Sequence, residues 1–270
     1  MKVTVLGCGG SGGVPLADGT PGGHWGDCDP SEPRNRRRRV SVLVEGDRSR
    51  GQGALIIDCS PDLREQLLDH PPERMDAVLL THAHADHVHG IDDLRAFTYR
   101  QREAIPTFMD ATTHAAMIRR FDYVFKSSHA ESHLYPALLD DRVITAGETF
   151  EAAGFKVLPF AQEHGQGTTL GFRIGSFAYS TDASALDEAA FEALAGVDLW
   201  IVDCLRDAPH PTHSHYDKTL GWIARVQPKK ALLTHMNHSV DYRVWAERCP
   251  AGVEPAYDGQ VLQLDLPPTG

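Results

Sequence analysis

The chain has 270 residues, 41% of them apolar and 23% charged, with a formal net charge of −11. That length can bury a sizeable core within one large domain, and the composition excludes a globally disordered chain. The acidic balance repels long nucleic acids unless a basic patch or bound cations reverse the field, and no apolar run approaches the roughly 18 residues of a membrane span.

Residues 3–6 read as a first strand. The run is too short for the apolar core of a secretion signal, so the cytoplasm is the expected compartment. A glycine-rich loop, residues 7–13, follows. Residues 17–39 carry many Gly, Pro, Asp and Arg and read as a long surface loop. Its run of Arg34, Arg36, Arg37, Arg38 and Arg39 fits a solvated entry to a strand or a rim for an anionic substrate. Residues 40–45 and 54–58 read as strands. Ser60 as N-cap and Pro61 at the first helical position open a helix ending at Leu68. Residues 77–80 form a short buried strand, and 91–99 read as helix.

The second half repeats the theme. Strands are expected at 155–160, 169–174, 177–180, 199–202, 231–233 and 261–264, with helices at 185–195 and 215–226. Strands and helices mixed in both halves, with many hairpin-length connections, predict sheets covered by helices rather than one doubly wound sheet. No repeat of solenoid length and no dividing linker is visible, so residues 1–270 read as one α/β (α+β) domain, an αββα sandwich.

Five cysteines, Cys8, Cys28, Cys59, Cys204 and Cys249, are odd in number and widely spaced. They read mostly as small buried apolar residues rather than a disulfide framework. Histidine is abundant, with 15 in the chain, and many stand at the ends of apolar runs. The central signal is Thr81-His82-Ala83-His84-Ala85-Asp86-His87, which places four potential ligands directly after a buried strand. Imidazole and carboxylate donors suit zinc, manganese or iron. A two-metal site needs further donors, and the same strand-end logic singles out His164, Asp182 and His235.

These residues resemble the metallo-β-lactamase superfamily over almost the whole chain. Within it the chain is most similar to the phosphodiesterase branch that includes ribonuclease Z and, more closely, the phosphoribosyl 1,2-cyclic phosphate phosphodiesterase of phosphonate breakdown. The likeness rests on Gly9-Gly10-Ser11-Gly12-Gly13-Val14-Pro15, on residues 82–87, and on Gly90-Ile91-Asp92-Asp93-Leu94-Arg95. It continues through Tyr179-Ser180-Thr181-Asp182, Pro209-His210-Pro211-Thr212-His213 and Leu233-Thr234-His235-Met236-Asn237-His238. The resemblance implies that His82, His84 and His164 bind one divalent ion and that Asp86, His87 and His235 bind the other. Asp182 would bridge them and Asp58 would orient a ligand histidine or the bridging water. The phosphonate-pathway enzyme also holds a structural zinc on three cysteines and a late histidine. Here Cys28 and His238 match, but Pro30 and Pro33 fill the other two places. That zinc is therefore expected to be absent, or rebuilt with His24, Asp27 or Asp29.

The implied reaction is hydrolysis of a small cyclic phosphate or nucleotide-like phosphodiester by a hydroxide bridging two ions, Zn2+ or Mn2+ with Fe as a third choice. Asp86 counts with the catalytic residues as well as the ligands. His213 is the expected general acid, with His210 and His215 as nearby rivals. Backbone N–H groups of residues 9–13, the arginine run and Arg95 are weaker candidates for substrate contact. A ribonuclease Z-like nuclease is the alternative, although no insertion resembles that enzyme's arm for transfer RNA and the acidic balance counts against large polyanions. Hydrolysis of a thioester or a lactam in the same fold, or metal binding without catalysis, completes the set. A homodimer is expected from the family alone.

Overall fold

The computed structural model describes residues 1–125 and 137–264. Six strands of the first half, β1 (Lys2–Gly7), β2 (Ser41–Glu45), β3 (Ala54–Ile57), β4 (Ala77–Leu79), β5 (Ile105–Met109) and β6 (Leu139–Val143), lie side by side in chain order. A second sheet holds β7 (Phe150–Ala152), β8 (Phe155–His164), β9 (Gly167–Ile174), β10 (Phe177–Ser180), β11 (Leu199–Asp203), β12 (Lys230–Thr234) and β13 (Val253–Pro255), again in order. The last strand, β14 (Gln260–Gln263), returns to the first sheet and pairs antiparallel with β1.

Both sheets are mixed, antiparallel where hairpins join the strands and parallel from β3 to β6 and from β10 to β13. A parallel pair needs a crossover. In the first sheet α1 (Leu63–Asp69), then α2 (Ala85–Val88) with α3 (Arg95–Gln101), then α4 (Ala111–Phe121) supply it. In the second sheet α5 (Glu188–Leu194), α6 (Tyr216–Val226) and α7 (Tyr242–Arg248) do so.

Strand alternation decides which side chains go where. Val42 and Val44 of β2, with Leu55 and Ile57 of β3, face inward and share one buried cluster with Phe172, Tyr179 and Ile201 of the other sheet. Leu43 and Ile56, one residue out of step, face the other way and pack with Leu63, Ile91 and Met117 of the helical layer. This is the αββα sandwich expected from the sequence. Fully burying one such aliphatic side chain is worth about 1.5–3 kcal/mol, so a one-residue slip of β2 or β3 would be severely penalised.

Several expectations need correction. The helix after β3 starts at Leu63 rather than Pro61. Asp62 stands at its N-cap, and the Ser60 hydroxyl instead accepts from the Asp62 N–H in the preceding turn. The helix expected from residue 185 starts at Glu188, because the Asp187 carboxylate caps the Ala190 N–H. The arginine run is not uniformly solvated. Arg37 is buried and donates to the Val240 and Asn237 carbonyls, while Arg38 and Arg39 pair with Asp69 and Asp62. β5, β6, β7, β13, α4 and α7 were not anticipated. The alternation of β6 is masked by Asp140, Asp141 and Arg142, and α7 is short and half polar. All five cysteines are free, and four of them are buried.

Candidate metal centre

One edge of the sandwich collects the carboxyl ends of β3, β4, β10, β11 and β12. Asp58 directly follows β3, Asp182 lies two residues past β10, and His235 directly follows β12. His164 is the last residue of β8, and His82 to His87 run from the end of β4 through α2. Asp58, Asp182 and His235 adopt left-handed backbone conformations, with φ of 62°, 53° and 60°. Such a conformation costs a non-glycine residue about 1–3 kcal/mol and persists where surrounding structure enforces it, typically at functional sites. All three side chains are buried at these strand ends.

The side chains converge on Asp182. Its Oδ2 lies 3.7 Å from His82 Nε2 and 3.6 Å from His164 Nε2. Its Oδ1 lies 3.1 Å from His87 Nε2 and 3.2 Å from His235 Nε2. Asp86 Oδ2 reaches the same two rings, at 3.4 and 3.5 Å. His84 completes the first group, its ring 4.4 Å from that of His82 and 5.2 Å from that of His164. Three overlapping donor groups result: His82, His84, His164 and Asp182; Asp86, His87 and His235; and Asp182, His213 and His235. The first two match the assignment implied by the sequence. One carboxylate stands between them with an oxygen toward each. All seven residues singled out in the sequence are thus brought together.

Three of the rings are anchored by their far nitrogens. His87 Nδ1 donates to Asp58 at 2.7 Å, and His164 Nδ1 donates to the Thr212 carbonyl at 2.7 Å. His82 Nδ1 lies 3.0 Å from the Thr81 hydroxyl, which also bonds Asp58. In these three rings Nε2 is left toward the centre, within 3.1–3.7 Å of Asp182. The Nε2 atoms of His82, His87 and His235 are buried with no hydrogen-bond partner. Orphaned buried polar atoms are rare and costly, and an ion is one of the things that explains them. The donor set is the imidazole–carboxylate mixture that divalent transition metals take.

Electrostatics agree with that chemistry. Burial pushes His82 and His164 below the ordinary imidazole range, which keeps their lone pairs free. Burial also disfavours charge on Asp182, yet His235, His87 and His82 hold its carboxyl well below the usual range. His87 and His235 go the other way. Burial opposes their charge, but Asp182 with Asp58 (for His87) or Asp86 (for His235) raises them.

Of the three histidines near α6, His213 comes nearest the cluster, with Nε2 3.9 Å from Asp182 Oδ2. His210 sits behind it, its ring 5.2 Å away, and His215 occupies the N-cap of α6. The sequence reading missed Asp203, the last residue of β11, whose carboxylate lies 3.4 Å from His213 Nδ1. The signal was available, since Asp203 ends a buried run as Asp58 does. Most of the glycine loop is not free to bind phosphate, because Gly9, Gly10 and Gly13 donate their N–H groups to Arg38, Met236 and Gly10 carbonyls. Cys28 belongs to no metal-binding group among the described residues; its thiol faces the His238 and Val240 carbonyls and the Arg37 guanidinium.

This fold and this edge define a class. Residues 54–236 match the model of the beta-lactamase superfamily domain, and the chain belongs to the metallo-β-lactamase superfamily. Within it the chain stands close to the PhnP family. It shares 33% identity with the crystal structure of a PhnP-family diphosphatase, at a TM-score of 0.84 over 97% of this chain and 96% of that one. An octanoyltransferase of Porphyromonas gingivalis is 30% identical over 98% of this chain but only 52% of its own length. A ribonuclease Z of Bradyrhizobium sp. is 28% identical over 54% of this chain and 47% of its own. The chain thus spans about half the length of these curated relatives. The diphosphatase, the ribonuclease Z and a probable metallo-hydrolase of Bacillus subtilis, 26% identical over 88% of this chain and 88% of its own, are hydrolases by name. No helix among the described residues is long and apolar enough to cross a membrane.

Proposed function

We propose that the chain hydrolyses a small phosphodiester, cyclic or nucleotide-like, at a centre of two divalent metal ions. The observation that carries this reading is the divided set of donors, with one oxygen of Asp182 turned to each half. His82, His84 and His164 would hold one ion, Asp86, His87 and His235 the other, and Asp182 both. Divalent ions bound there supply Lewis-acid neutralisation of phosphoryl charge and acidify water near neutral pH.

The chain's own residues do the rest. Asp58, Thr81 and the Thr212 carbonyl fix three of the ligand rings by their far nitrogens. His84 is exposed and marks the open side where substrate enters. His213, beside the donors yet placed in neither set of the assignment, is positioned to protonate the leaving oxygen. A group in that role is worth roughly 10²–10⁴-fold in rate.

A second reading is favoured by the PhnP-family diphosphatase. The same centre would act on the P–O–P bridge of a small diphosphate, where the leaving group is a phosphate that needs less help from an acid. The octanoyltransferase name belongs to a protein about twice as long, and acyl transfer is not what these donors suggest. The test is turnover of bis(p-nitrophenyl) phosphate, a 2′,3′-cyclic nucleotide and ADP by the protein loaded with Zn2+ or Mn2+. Turnover of the first two supports the diesterase reading. Turnover of ADP alone selects the second, and none on any of the three, with two ions bound, removes both.

A further inference from the structure

The loop from β11 to α6 carries Pro209-His210-Pro211, and both prolines restrict the histidine between them. Proline fixes its own φ at about −65°, and the residue before a proline is held to extended conformations. The loop is also closed on itself. At its base the Leu205 N–H donates to the Ser214 carbonyl at 3.1 Å, and the Tyr216 N–H donates to the Arg206 carbonyl at 3.0 Å. Inside it the Arg206 guanidinium donates to the Ala208 and Pro209 carbonyls at 3.1 and 3.0 Å. Two residues past His210, the Thr212 carbonyl holds His164 Nδ1. His210 therefore stands on a braced loop tied to the donor cluster. Its ring is the outermost of a row of three, 5.2 Å from that of His213, which lies 5.0 Å from that of His164.

The ring is fixed in one tautomer. Its Nδ1 is met by the Thr212 N–H at 3.4 Å and by the Thr212 hydroxyl at 3.2 Å. A backbone N–H can only donate, so Nδ1 accepts and the proton of the neutral ring sits on Nε2. Burial, then the nearby His213 and Arg206, hold the ring below the ordinary imidazole range, which keeps it uncharged. The Nε2–H is the free end. Among the described residues nothing bonds it, and it is not one of the buried unpartnered atoms, so it stays open to solvent. His215 differs, because its Nδ1 is buried and the residue stands at the N-cap of α6. Of the three histidines here, His210 alone has its tautomer set by a backbone N–H.

We propose that His210 is a specificity-determining residue: its Nε2–H donates to an oxygen of the leaving group other than the departing one, and so favours a sugar-like leaving group. The proposal rests on the diesterase reading above, in which His213 protonates the departing oxygen. His210 stands one ring farther out, so its donor meets the leaving group beyond that oxygen. A donor already held in place loses little freedom when substrate arrives. Its bond is made before the reaction and kept through it, so it strengthens binding and leaves the chemical step unchanged. A neutral N–H suits an uncharged sugar oxygen, while the charge of the phosphoryl group falls to the metal centre.

The test compares leaving groups. The ribose of 2′,3′-cyclic AMP carries other oxygens beside the departing one, whereas p-nitrophenolate carries its only others on the nitro group at the far end of the ring. Zn2+-loaded wild type, His210→Ala and His210→Gln would be assayed on 2′,3′-cyclic AMP and bis(p-nitrophenyl) phosphate. Bound zinc would be counted by elemental analysis. The glutamine amide keeps an N–H donor near the place of Nε2–H. His210→Ala should raise KM for the cyclic nucleotide by roughly 3–10-fold, the worth of one neutral hydrogen bond, with kcat held within about 2-fold. KM for the aryl ester should move by less than about 2-fold. Zinc content should be unchanged, and His210→Gln should recover most of the lost affinity. A fall in kcat at unchanged KM, equal losses on both substrates, lost zinc, or a Gln variant no better than Ala would each overturn the proposal. Nitrogen-15 spectra of the zinc-loaded protein add a readout independent of turnover. In wild type the His210 proton should sit on Nε2 with Nδ1 bare, and the opposite tautomer would also overturn the proposal. Wild type inactive on both diesters is a different failure, which removes the diesterase reading and this proposal with it.

Discussion

Replacing Asp58 separates its structural duty from its duty toward the metal. The carboxylate is fully buried and accepts from the Thr81 N–H at 2.8 Å, the Thr81 hydroxyl at 2.8 Å and His87 Nδ1 at 2.7 Å. In Asp58→Ala the Thr81 hydroxyl keeps His82 Nδ1, but the Thr81 N–H and His87 Nδ1 are left unpaired in the interior. Each such donor costs about 1–3 kcal/mol, so the loss is about 2–6 kcal/mol against a typical total of about 5–15. The lower end is expected, because burial already pushes the Asp58 carboxyl up and its charge is held at some cost. Asp58→Asn differs. Its oxygen still serves Thr81, while its NH₂ meets His87 Nδ1 and favours the tautomer with the proton on Nε2. That proton occupies the lone pair a metal needs. Zinc affinity should fall by roughly 10–100-fold, about 1.4–2.7 kcal/mol, with less loss of stability than in the alanine variant. Competition with a chromophoric chelator reads the affinity, and denaturant melts of the metal-free protein read the stability. An Asn variant that binds zinc like wild type would refute the reasoning, as would an Ala variant as stable as the Asn one.

Other outcomes follow from the same contacts. Because burial is overruled by neighbouring carboxylates at His87 and His235, both rings should carry protons in the metal-free protein. Zinc binding should then release roughly two protons and tighten as pH rises, which calorimetry in buffers of different ionisation enthalpy would show. His213→Gln should lower turnover of an alkyl phosphodiester roughly 10²–10⁴-fold with zinc content intact; loss of zinc would instead make His213 a ligand. Asp258 turns its carboxylate inward to the Cys8 and Arg38 N–H groups, and burial raises it to about 7. The folded chain keeps that proton up to about pH 7, whereas the unfolded chain releases it near the ordinary value of 3.8. Stability from this group is present below that window and lost as pH rises through it. Between pH 5 and 8 wild type should lose roughly 2 kcal/mol relative to Asp258→Asn, allowing for the residue's partial exposure. Equal pH slopes in urea melts would contradict this. A Cβ at Gly90 would lie 2.0 Å from the Ser60 carbonyl, so Gly90→Ala should destabilise the turn after α2 and lower the melting temperature by several degrees.

The seven donors were legible because each follows or ends a strand that the sequence marks as buried, and a strand end is where an aligned sheet edge gathers side chains. His82 to His87 signal themselves by spacing, while Asp182 and His235 were reached by the strand-end rule. Their left-handed backbone has no sequence signal in a residue other than glycine. Asp203 was missed although the same rule reaches it, because an aspartate after Val202 reads equally as a turn residue. Arg37 was misjudged for a different reason. Its burial depends on the carbonyls of Asn237 and Val240, 200 residues away in sequence, and no local pattern encodes that contact. The same holds for β6, whose polar residues sit on an edge strand that needs no apolar alternation.

The division of donors about Asp182 is tested most directly by anomalous diffraction from crystals grown with Zn2+, collected on both sides of the zinc edge. Two peaks are expected in each chain, one among His82, His84 and His164 and one among Asp86, His87 and His235, each beside a different oxygen of Asp182. A single peak, or zinc seated away from Asp182, would contradict the two-metal centre.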